Sequence, residues 1–261
     1  MKVLRIATVF LLIAGCLLLQ SCQQGEILQV KGMNFDQLEA KEFTPEEMWL
    51  MWNAHDYDDP FYHVYNENGT LWLNPGSSDS MSTFSIYTGY RQLFADSLGE
   101  WGGWVATANF FSELSQGVFN PETVLSGESI IGVYQKAYGD PVAYILAGTY
   151  MEQRVYRFTD HAEKGWTLET VAQLEIEPDA AFLDGDKLVI AAMESLLTVD
   201  VNTGETTVLY DGEDWKYNQY NSIAKVGDSY FIGSVIGLRE YRISEGKMLF
   251  YPYPDYVPEE E

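Results

Sequence analysis

Residues 181–210 read AFLDGDKLVIAAMESLLTVDVNTGETTVLY, and their pattern returns 42 positions later in residues 223–252, IAKVGDSYFIGSVIGLREYRISEGKMLFYP. The two segments align without gaps. The identical pairs are Gly185 with Gly227, Asp186 with Asp228, Ile190 with Ile232, Leu196 with Leu238 and Gly204 with Gly246. A repeat of about 40–45 residues is typical of β-propeller blades, each of which is one four-stranded sheet.

The first copy also divides into four short strands, because turn residues separate its apolar runs. Gly185 follows an aspartate and Gly204 follows a threonine, and glycine supplies the positive φ that tight hairpin turns need. The strands are predicted at residues 180–183, 188–192, 197–201 and 206–210. The alternative is an irregular β-sandwich that contains one chance repeat.

Weaker copies of this pattern precede the repeat. Strand-like runs at 144–149, 154–158 and 168–174 fit a unit that begins near Ser129. Residues 68–73 with 84–89 fit another unit, and 104–111 with 123–125 fit a degraded one. The sequence therefore predicts an all-β protein, with a propeller of about five four-stranded blades over residues 61–252, or four blades and an irregular insert. A blade cannot bury both of its faces alone, so neighbouring blades must stack around an axis.

Two stretches resemble the blade motif of propellers in periplasmic sensor proteins. These are NGTLWL at residues 68–73, and YFIGS at 230–234 with Gly237, Leu238 and Tyr241. The resemblance implies a propeller in an extracytoplasmic setting. It carries over no ligand, and the kinase parts of such sensors are missing from this sequence.

A short helix is predicted before the first blade, within a helix and entry loop at residues 44–60. Thr44 can cap it, Pro45 suits its first position, and Glu47 completes a capping box. The following run, MWLMW at 48–52, is apolar on all sides and is expected to be buried, although an apolar strand is the alternative.

The N-terminus predicts export. Lys2 and Arg5 precede an apolar run at residues 6–19, which is short for a membrane span and is typical of a signal peptide. Its end, LQSC at 19–22, resembles the lipobox of bacterial lipoproteins, which implies acylation of Cys22. Cys16 fits the same pattern and is the alternative, and an ordinary signal peptide is another. Residues 1–22 are thus the expected signal and 23–43 a tether, which places the protein in the cell envelope, outside the cytoplasm.

The charge balance excludes some partners. With 39 acidic residues against 15 Lys and Arg, the formal net charge is −24, and such a field repels nucleic acid. No cysteine follows Cys22, so the mature chain has no disulfide and no thiolate nucleophile. Residues 253–261 end in three glutamates and are expected to form an exposed acidic tail.

Residues 55–63, HDYDDPFYH, form the densest polar cluster. Imidazole nitrogens and carboxylate oxygens can bind a divalent cation, so His55, Asp56, Asp59 and His63 are candidate ligands. Their spacing matches no established metal motif, and a solvated loop between helix and first blade is the simpler interpretation. No cofactor is predicted, because the sequence has no phosphate-cradling or dinucleotide fingerprint.

Asp59-Pro60-Phe61 followed by GTLWL at 69–73 resembles the first-blade motif of five-bladed arabinanase- and xylosidase-type glycosidases. That resemblance implies that Asp59 acts as a general base. Hydrolysis also needs a carboxylic acid with a raised pKa, and Glu113, Glu128 and Glu175 are all available for it. No nucleophile motif is present, so the sequence favours a binding protein over an enzyme and keeps a glycoside hydrolase as the alternative.

Aromatic side chains near predicted turns are the candidate binding residues. They give a large contact area for little conformational entropy, although many aromatics in propellers fill the space between blades. The candidates are Trp215 and Tyr217 beside the acidic Asp214, together with Trp101 and Trp104. The sequence therefore predicts a membrane-anchored, extracytoplasmic binding or scaffold protein whose propeller face holds a protein or glycan partner. A purely structural subunit of an envelope complex is a third possibility.

Overall fold

The protein is described by a computed structural model over residues 33–34, 38–54, 61–67, 69–76, 81–98, 102–109, 121–149, 152–216 and 219–253. These residues form five antiparallel sheets, which we call blades 1 to 5 in chain order. Blade 1 has three strands in the spatial order β1–β3–β2, and the other four blades each have four strands in sequence order.

The strand bounds follow the blades. Blade 1 contains β1 (Met33–Asn34), β2 (Phe61–Glu67) and β3 (Thr70–Gly76). Blade 2 contains β4 (Met81–Tyr87), β5 (Gln92–Leu98), β6 (Gly103–Ala108) and β7 (Glu122–Ser126). Blade 3 contains β8 (Ser129–Tyr134), β9 (Val142–Thr149), β10 (Glu152–Asp160) and β11 (Trp166–Leu174). Blade 4 contains β12 (Pro178–Asp184), β13 (Lys187–Ala192), β14 (Ser195–Asp200) and β15 (Thr206–Tyr210). Blade 5 contains β16 (Tyr220–Val226), β17 (Ser229–Ser234), β18 (Gly237–Arg242) and β19 (Lys247–Pro252).

The blades stack side by side around a central axis, and contacts between their inner strands join them. Strand β8 contacts β5 of blade 2 and β12 of blade 4, β12 contacts β16, and β16 contacts β2 of blade 1. Apolar clusters fill the spaces between successive blades, with Ile145 and Phe158 between blades 2 and 3, and Leu188 between blades 3 and 4. Trp215 and Ile232 lie between blades 4 and 5. The prediction of an all-β propeller of about five blades is confirmed, and its first blade is one strand short.

The repeat that predicted the fold occupies blades 4 and 5. Gly185 and Gly227 turn the first hairpin of each blade with φ of 59° and 58°, as the sequence predicted. Gly204 and Gly246 have positive φ in the turns between the third and fourth strands of blades 4 and 5. The same sequence signals therefore produce the same backbone turns in both copies.

Upstream, the predicted grouping of strands is wrong in one respect. Residues 68–73 and 84–89 were expected to share a unit, but 70–76 form β3 of blade 1, whereas 81–87 form β4 of blade 2. Residues 104–108 and 122–126 complete that same blade 2 rather than a separate degraded one. The turn at Thr88 and Gly89 joins β4 to β5 inside a blade, so the glycine does not mark the end of a unit.

One α-helix, α1 (Pro45–Ala54), precedes β2 in the described chain, and its capping box is present. The Thr44 backbone N–H donates to Glu47 Oε2 at 2.6 Å, and the Glu47 N–H donates to Thr44 Oγ1 at 3.3 Å. The expectation that the helix is buried on all sides is wrong. Met48 and Met51 are buried against blade 5, whereas Trp49 and Leu50 on the other side are 48% and 55% exposed.

The ring has two ends, which the strand directions define. The turns that join the first to the second strand of each blade lie at one end, called here the top, and include residues 88–91 and 135–141. The turns that join the second to the third strand lie at the bottom, and include residues 235–236 of blade 5. Helix α1 packs on Val235 and Ile236, so it lies at the bottom.

Parts of the predicted tether and tail belong to the ring. Met33 pairs with Leu73 as the edge strand of blade 1, and Lys41 forms a β-bridge with Phe250. Tyr253, the first residue of the predicted acidic tail, is buried, and its ring lies 4.3 Å from that of Tyr62. In the described residues, no helix is long and apolar enough to cross a membrane.

Candidate functional site

A hollow of about 540 Å³ opens between β2 of blade 1, β12 of blade 4 and β16 of blade 5. It is a shallow depression open to solvent rather than an enclosed cavity. The lining combines apolar and polar groups: Val64, Tyr65, Asn66 and Gly69 from blade 1, Phe182 from blade 4, and Ile223, Ala224 and Lys225 from blade 5. Tyr65 is exposed, so it offers an aromatic surface within this recess.

The charge beside the hollow is neutralised by a local network. Lys225 Nζ donates to Asp184 Oδ2 at 2.6 Å, and the Tyr230 hydroxyl donates to the same oxygen at 2.7 Å. Burial opposes ionisation of Asp184, but these two hydrogen bonds together outweigh it and lower the pKa of Asp184. Asp184 is therefore an ionised, paired carboxylate rather than a proton donor.

Two exposed tyrosines stand on adjacent turns at the top of the ring. Tyr138 is 89% exposed in the β8–β9 turn, and Tyr90 is 55% exposed in the β4–β5 turn. The ring of Tyr87 lies 6.1 Å from that of Tyr138. Exposed tyrosines that neighbour one another are a common feature of recognition surfaces. We refer to Tyr87, Tyr90 and Tyr138 as the tyrosine cluster.

The two turns that carry the cluster are tied to each other. Gln135 Nε2 donates to the Tyr87 carbonyl at 2.9 Å and to the Asp140 carbonyl at 2.6 Å. At Gly89 the turns approach so closely that a Cβ would lie 3.2 Å from the Gly139 carbonyl oxygen. Gly89 also has a φ of 91°, which an L side chain rarely adopts. The turns are thus held in a fixed arrangement before any partner arrives.

The side chain of Asp160, at the end of β10, holds one of these turns, the β4–β5 turn. Its side chain has no solvent exposure. It accepts hydrogen bonds from Thr88 Oγ1 at 2.9 Å and from the Ala162 N–H at 3.0 Å, and Arg91 Nε lies 3.6 Å away. A buried carboxylate with these donors joins the blade 2 turn to blade 3.

Trp215, a predicted binding residue, is a core residue. It is 0% exposed, stacks on Tyr220 with ring centroids 4.1 Å apart, and donates from Nε1 to the Ala192 carbonyl at 2.8 Å. Its side chain offers no surface to a partner. Asp214 next to it is part-exposed and accepts a hydrogen bond from the buried Arg239 at 3.0 Å. The pair of Asp214 and Trp215 therefore holds blade 4 to blade 5.

Of the other predicted binding aromatics, Trp104 is exposed on β6 of blade 2, opposite Asp96. Trp101 and Tyr217 lie outside the described residues, as do the lipidation candidates Cys16 and Cys22. The structure brings Trp104 and Trp215 to different blades, so the predicted residues do not form one cluster.

The predicted metal ligands His55, Asp56 and Asp59 also lie outside the described residues. His63 is part-buried in β2, opposite Asn74. Over the ranges that the structure describes, no three or more His, Cys, Asp or Glu side chains come close enough to hold a metal ion.

The general acids considered for a glycosidase have different surroundings. Glu113 lies outside the described ranges, and Glu175 follows β11 in the connection to blade 4. Glu128 accepts hydrogen bonds from the Tyr156 hydroxyl at 2.8 Å and from Arg154 at 3.4 Å. Because Asp59 lies outside the described residues, the hydrolase hypothesis stays a prediction.

One part-buried carboxyl that the sequence did not single out lies at the start of β12. Burial raises the pKa of Asp179 to about 7, and Glu177 nearby adds to the rise, although the Tyr220 N–H donates to Oδ2 at 3.2 Å. Asp179 occupies a β-bulge, and Asn221 occupies the equivalent bulge in β16. Both bulges lie near the start of the first strand of their blade, and bulges commonly redirect a side chain.

The tyrosine cluster was missed by the sequence interpretation, although a signal for it exists. Tyr90 follows Gly89, and Tyr138 precedes Gly139, so each tyrosine stands beside the glycine of a tight turn. Connecting turns run over the protein surface, so aromatic side chains at such positions are candidates for exposure. Aromatics next to turn glycines were therefore better candidates than Trp215, which follows an acidic loop.

Comparison with known proteins gives fold likenesses only. No family model matches the chain, and no curated protein matches it. Among the solved structures that it resembles is a puromycin hydrolase, as an S511A mutant complexed with PGG, at 13% identity and a TM-score of 0.43. Two others are the AfRom2 CNH domain, at 9% identity and a TM-score of 0.45, and a nidogen/laminin complex, at 10% identity and a TM-score of 0.36.

The matched regions differ in extent. They cover 70%, 70% and 75% of this chain, respectively, and 31%, 68% and 93% of those chains. The chain thus spans about a third of the length of the puromycin hydrolase. At these identities and TM-scores the likenesses carry no argument about activity, so the functional argument depends on the site itself.

Proposed function

We propose that the protein is a cell-envelope binding protein, anchored through an acyl chain at Cys22, that holds a protein partner on the top of its propeller. The exposed tyrosine cluster is the observation that carries this proposal. Tyr138 at 89% exposure and Tyr90 at 55% stand together on adjacent turns. Tyrosine is enriched among the residues that dominate binding energy at protein interfaces.

The fixed arrangement of the turns supports recognition. Gln135 and Asp160 hold the two turns, so little conformational entropy remains to be lost when a partner binds. Rigid aromatic anchors on a preformed scaffold are what a specific interface needs. The net charge of −24 favours a partner whose contacting surface is basic, because opposite potentials accelerate encounter.

The test places a photo-crosslinking amino acid at Tyr90 in cells that express the protein. A specific crosslinked adduct is expected at this position, and the additional change Tyr138→Ala should weaken it severalfold because it removes a neighbouring anchor. The matched control places the crosslinker at Val208, an exposed residue on the outer strand of blade 4. Equal adducts at both positions, or none at Tyr90, would contradict the proposal.

A glycan ligand is a second candidate, and the hollow favours it. Tyr65 can stack on a sugar ring, and Asn66 lies beside it in the lining. The paired Asp184 and Lys225 leave this recess without an unbalanced charge, which suits a neutral saccharide. Binding of neutral polysaccharides in affinity electrophoresis should then be weakened by Tyr65→Ala and unaffected by Tyr138→Ala. The reverse pattern would exclude the hollow as the glycan site.

A further inference from the structure

We infer that the bottom of the ring rests on the lipid surface to which the protein is anchored, with Trp49 and Leu50 of α1 as the contacting side chains. This inference depends on the anchoring in the proposed function. It adds the orientation of the molecule, the residues that touch lipid and the class of lipid headgroup that they tolerate.

Helix α1 presents its apolar side chains in two opposite directions. Met48 and Met51 are buried with Val235, Ile236 and Phe250 at the bottom of blade 5. Trp49 and Leu50 stand next to each other and are half exposed. Tryptophan and leucine together on the free side of a surface helix are typical of contact with the boundary between lipid headgroups and acyl chains.

The helix cannot turn these residues inward, because its position on the ring is fixed. The Phe43 ring packs edge-on against Phe250 with centroids 5.8 Å apart, and the Lys41 N–H donates to the Phe250 carbonyl at 2.9 Å. Contacts thus hold the segment before the helix as well as the helix itself. Trp49 and Leu50 consequently remain at the bottom, the end opposite the tyrosine cluster.

The length of the tether brings the bottom within reach of the membrane. Ten residues, 23–32, separate Cys22 from Met33, the first residue of β1. A fully extended chain of ten residues spans at most about 35 Å. The ring therefore stays close to the membrane, and two exposed apolar side chains, Trp49 and Leu50, are on the helix that follows the tether.

The charge near the helix indicates which headgroups fit. Glu46 and Glu47 are exposed in the first turn of α1, next to Trp49. Together with the net charge of −24, they repel an anionic surface. The contact therefore suits zwitterionic phosphatidylcholine or phosphatidylethanolamine rather than phosphatidylglycerol.

The test uses the full acylated chain in phosphatidylcholine vesicles, with an environment-sensitive fluorophore on Leu50→Cys and, as the matched control, on Tyr138→Cys. The acylated protein begins at Cys22 and therefore lacks Cys16, and no cysteine follows Cys22, so the label is unique. The label at position 50 should shift to shorter wavelength and lose iodide quenching severalfold relative to an unanchored protein that begins at Gln23 and has no other cysteine. The label at position 138 should not change.

The other outcomes separate a failure of the anchoring from a failure of the lipid contact. Mass spectrometry that finds no acyl chain on Cys22 would overturn both the anchoring and this inference. An acylated protein whose label at position 50 stays fully quenched would overturn the inference alone, and so would protection of position 138 instead. Protection of position 50 that needs an added protein extract would show a protein contact rather than lipid. Equal protection in phosphatidylglycerol vesicles would overturn the headgroup preference.

Discussion

At the scale of single residues, Asp160 decides how the top of the ring is held. Its side chain is fully buried and binds Thr88, Ala162 and Arg91. We expect Asp160→Asn to lower the free energy of unfolding by about 2–4 kcal/mol, because Arg91 then keeps a buried charge without its counter-ion. Urea denaturation of wild type and variant measures the difference.

A matched control is Asp186→Asn, which removes a carboxylate that pairs with Lys136 but is more than half exposed. Exposed pairs contribute little, so this variant should unfold at nearly the wild-type urea concentration. A similar loss in both variants would show that Asp160 acts through general charge and not through the turns.

The raised pKa of Asp179 makes the free energy of unfolding depend on pH. Its pKa is raised to about 7 by burial, so between about pH 4 and pH 7 the folded state binds more protons than the unfolded state. Stability from this group is therefore greatest below pH 4 and falls as the pH rises to 7. Asp179→Asn, which keeps an acceptor for Tyr220, should exceed wild-type stability by about 2–4 kcal/mol at pH 8 and by far less at pH 4. Denaturation at the two pH values checks this difference, and a constant offset would contradict it.

The sequence did not predict which aromatic side chains are exposed, and exposure decides whether such a residue can contact a partner. Trp215 and Tyr138 both stand near turns in the sequence, yet one is fully buried and the other is almost fully exposed. The difference arises from tertiary contacts, because Tyr220 and Arg239 from blade 5 enclose Trp215. Neither contact is visible in the local sequence.

At the scale of elements, the glycine positions and the repeat were sufficient to predict the strands wherever a turn closes a hairpin within a blade. Blades 4 and 5 were predicted nearly strand by strand, since Gly185 and Gly227 fix equivalent turns. The boundary between blades 1 and 2 was misplaced, because a turn between blades and a turn inside a blade carry the same residue signals. The capping box of α1 was predictable since Thr44 and Glu47 are local, whereas the exposed side of that helix was not.

The turn at 213–215 depends on one buried cation in β18. Arg239 is fully buried, with its Cζ 5.5 Å from the Trp215 ring centroid and 5.1 Å from that of Phe250, and it pairs with Asp214. We expect Arg239→Met to cost about 2–4 kcal/mol of stability, because Asp214 then loses its counter-ion and the aromatic rings lose the cation. Thermal unfolding followed by circular dichroism measures the loss.

Arg242→Met is the control for that experiment. Arg242 is in the same strand, is more exposed and pairs with Glu240 and Glu245. A smaller loss is expected, because Glu240, although buried, keeps the hydrogen bonds from Ser229 and Tyr251 when Arg242 is removed. If Arg242→Met unfolds as early as Arg239→Met, the sandwich of rings around Arg239 is not the cause.

At the scale of the whole molecule, blade 1 is held mainly by blade 5. The Val64 N–H donates to Ser222 Oγ at 2.8 Å, and Asn66 Nδ2 donates to the Lys225 carbonyl at 2.6 Å. Among the described strands, β2 and β3 make no comparably extensive contact with blade 2. Blade 1 is therefore the part of the ring that should open first.

We expect the double change Ser222→Ala with Asn66→Ala to accelerate hydrogen exchange in β2 and β3 severalfold, while β9, β10 and β13 keep wild-type protection. Each lost hydrogen bond contributes about 1 kcal/mol, which is enough to favour local opening. Gln92→Ala, which removes a 2.6 Å bond to Ser85 within blade 2, is the control and should leave β2 unchanged. Uniform acceleration across all blades would instead indicate cooperative unfolding of the whole ring.

The pairing of Lys41 with Phe250, together with the packing of β2 on β16, has a consequence for biosynthesis. Blade 1, the first to be synthesised, packs on blade 5, the last one, so a nascent chain cannot complete the native ring until residues near 250 have been synthesised. Contacts between such distant parts of a sequence slow folding. The polypeptide should therefore remain incompletely folded, and available to chaperones, for nearly its entire synthesis.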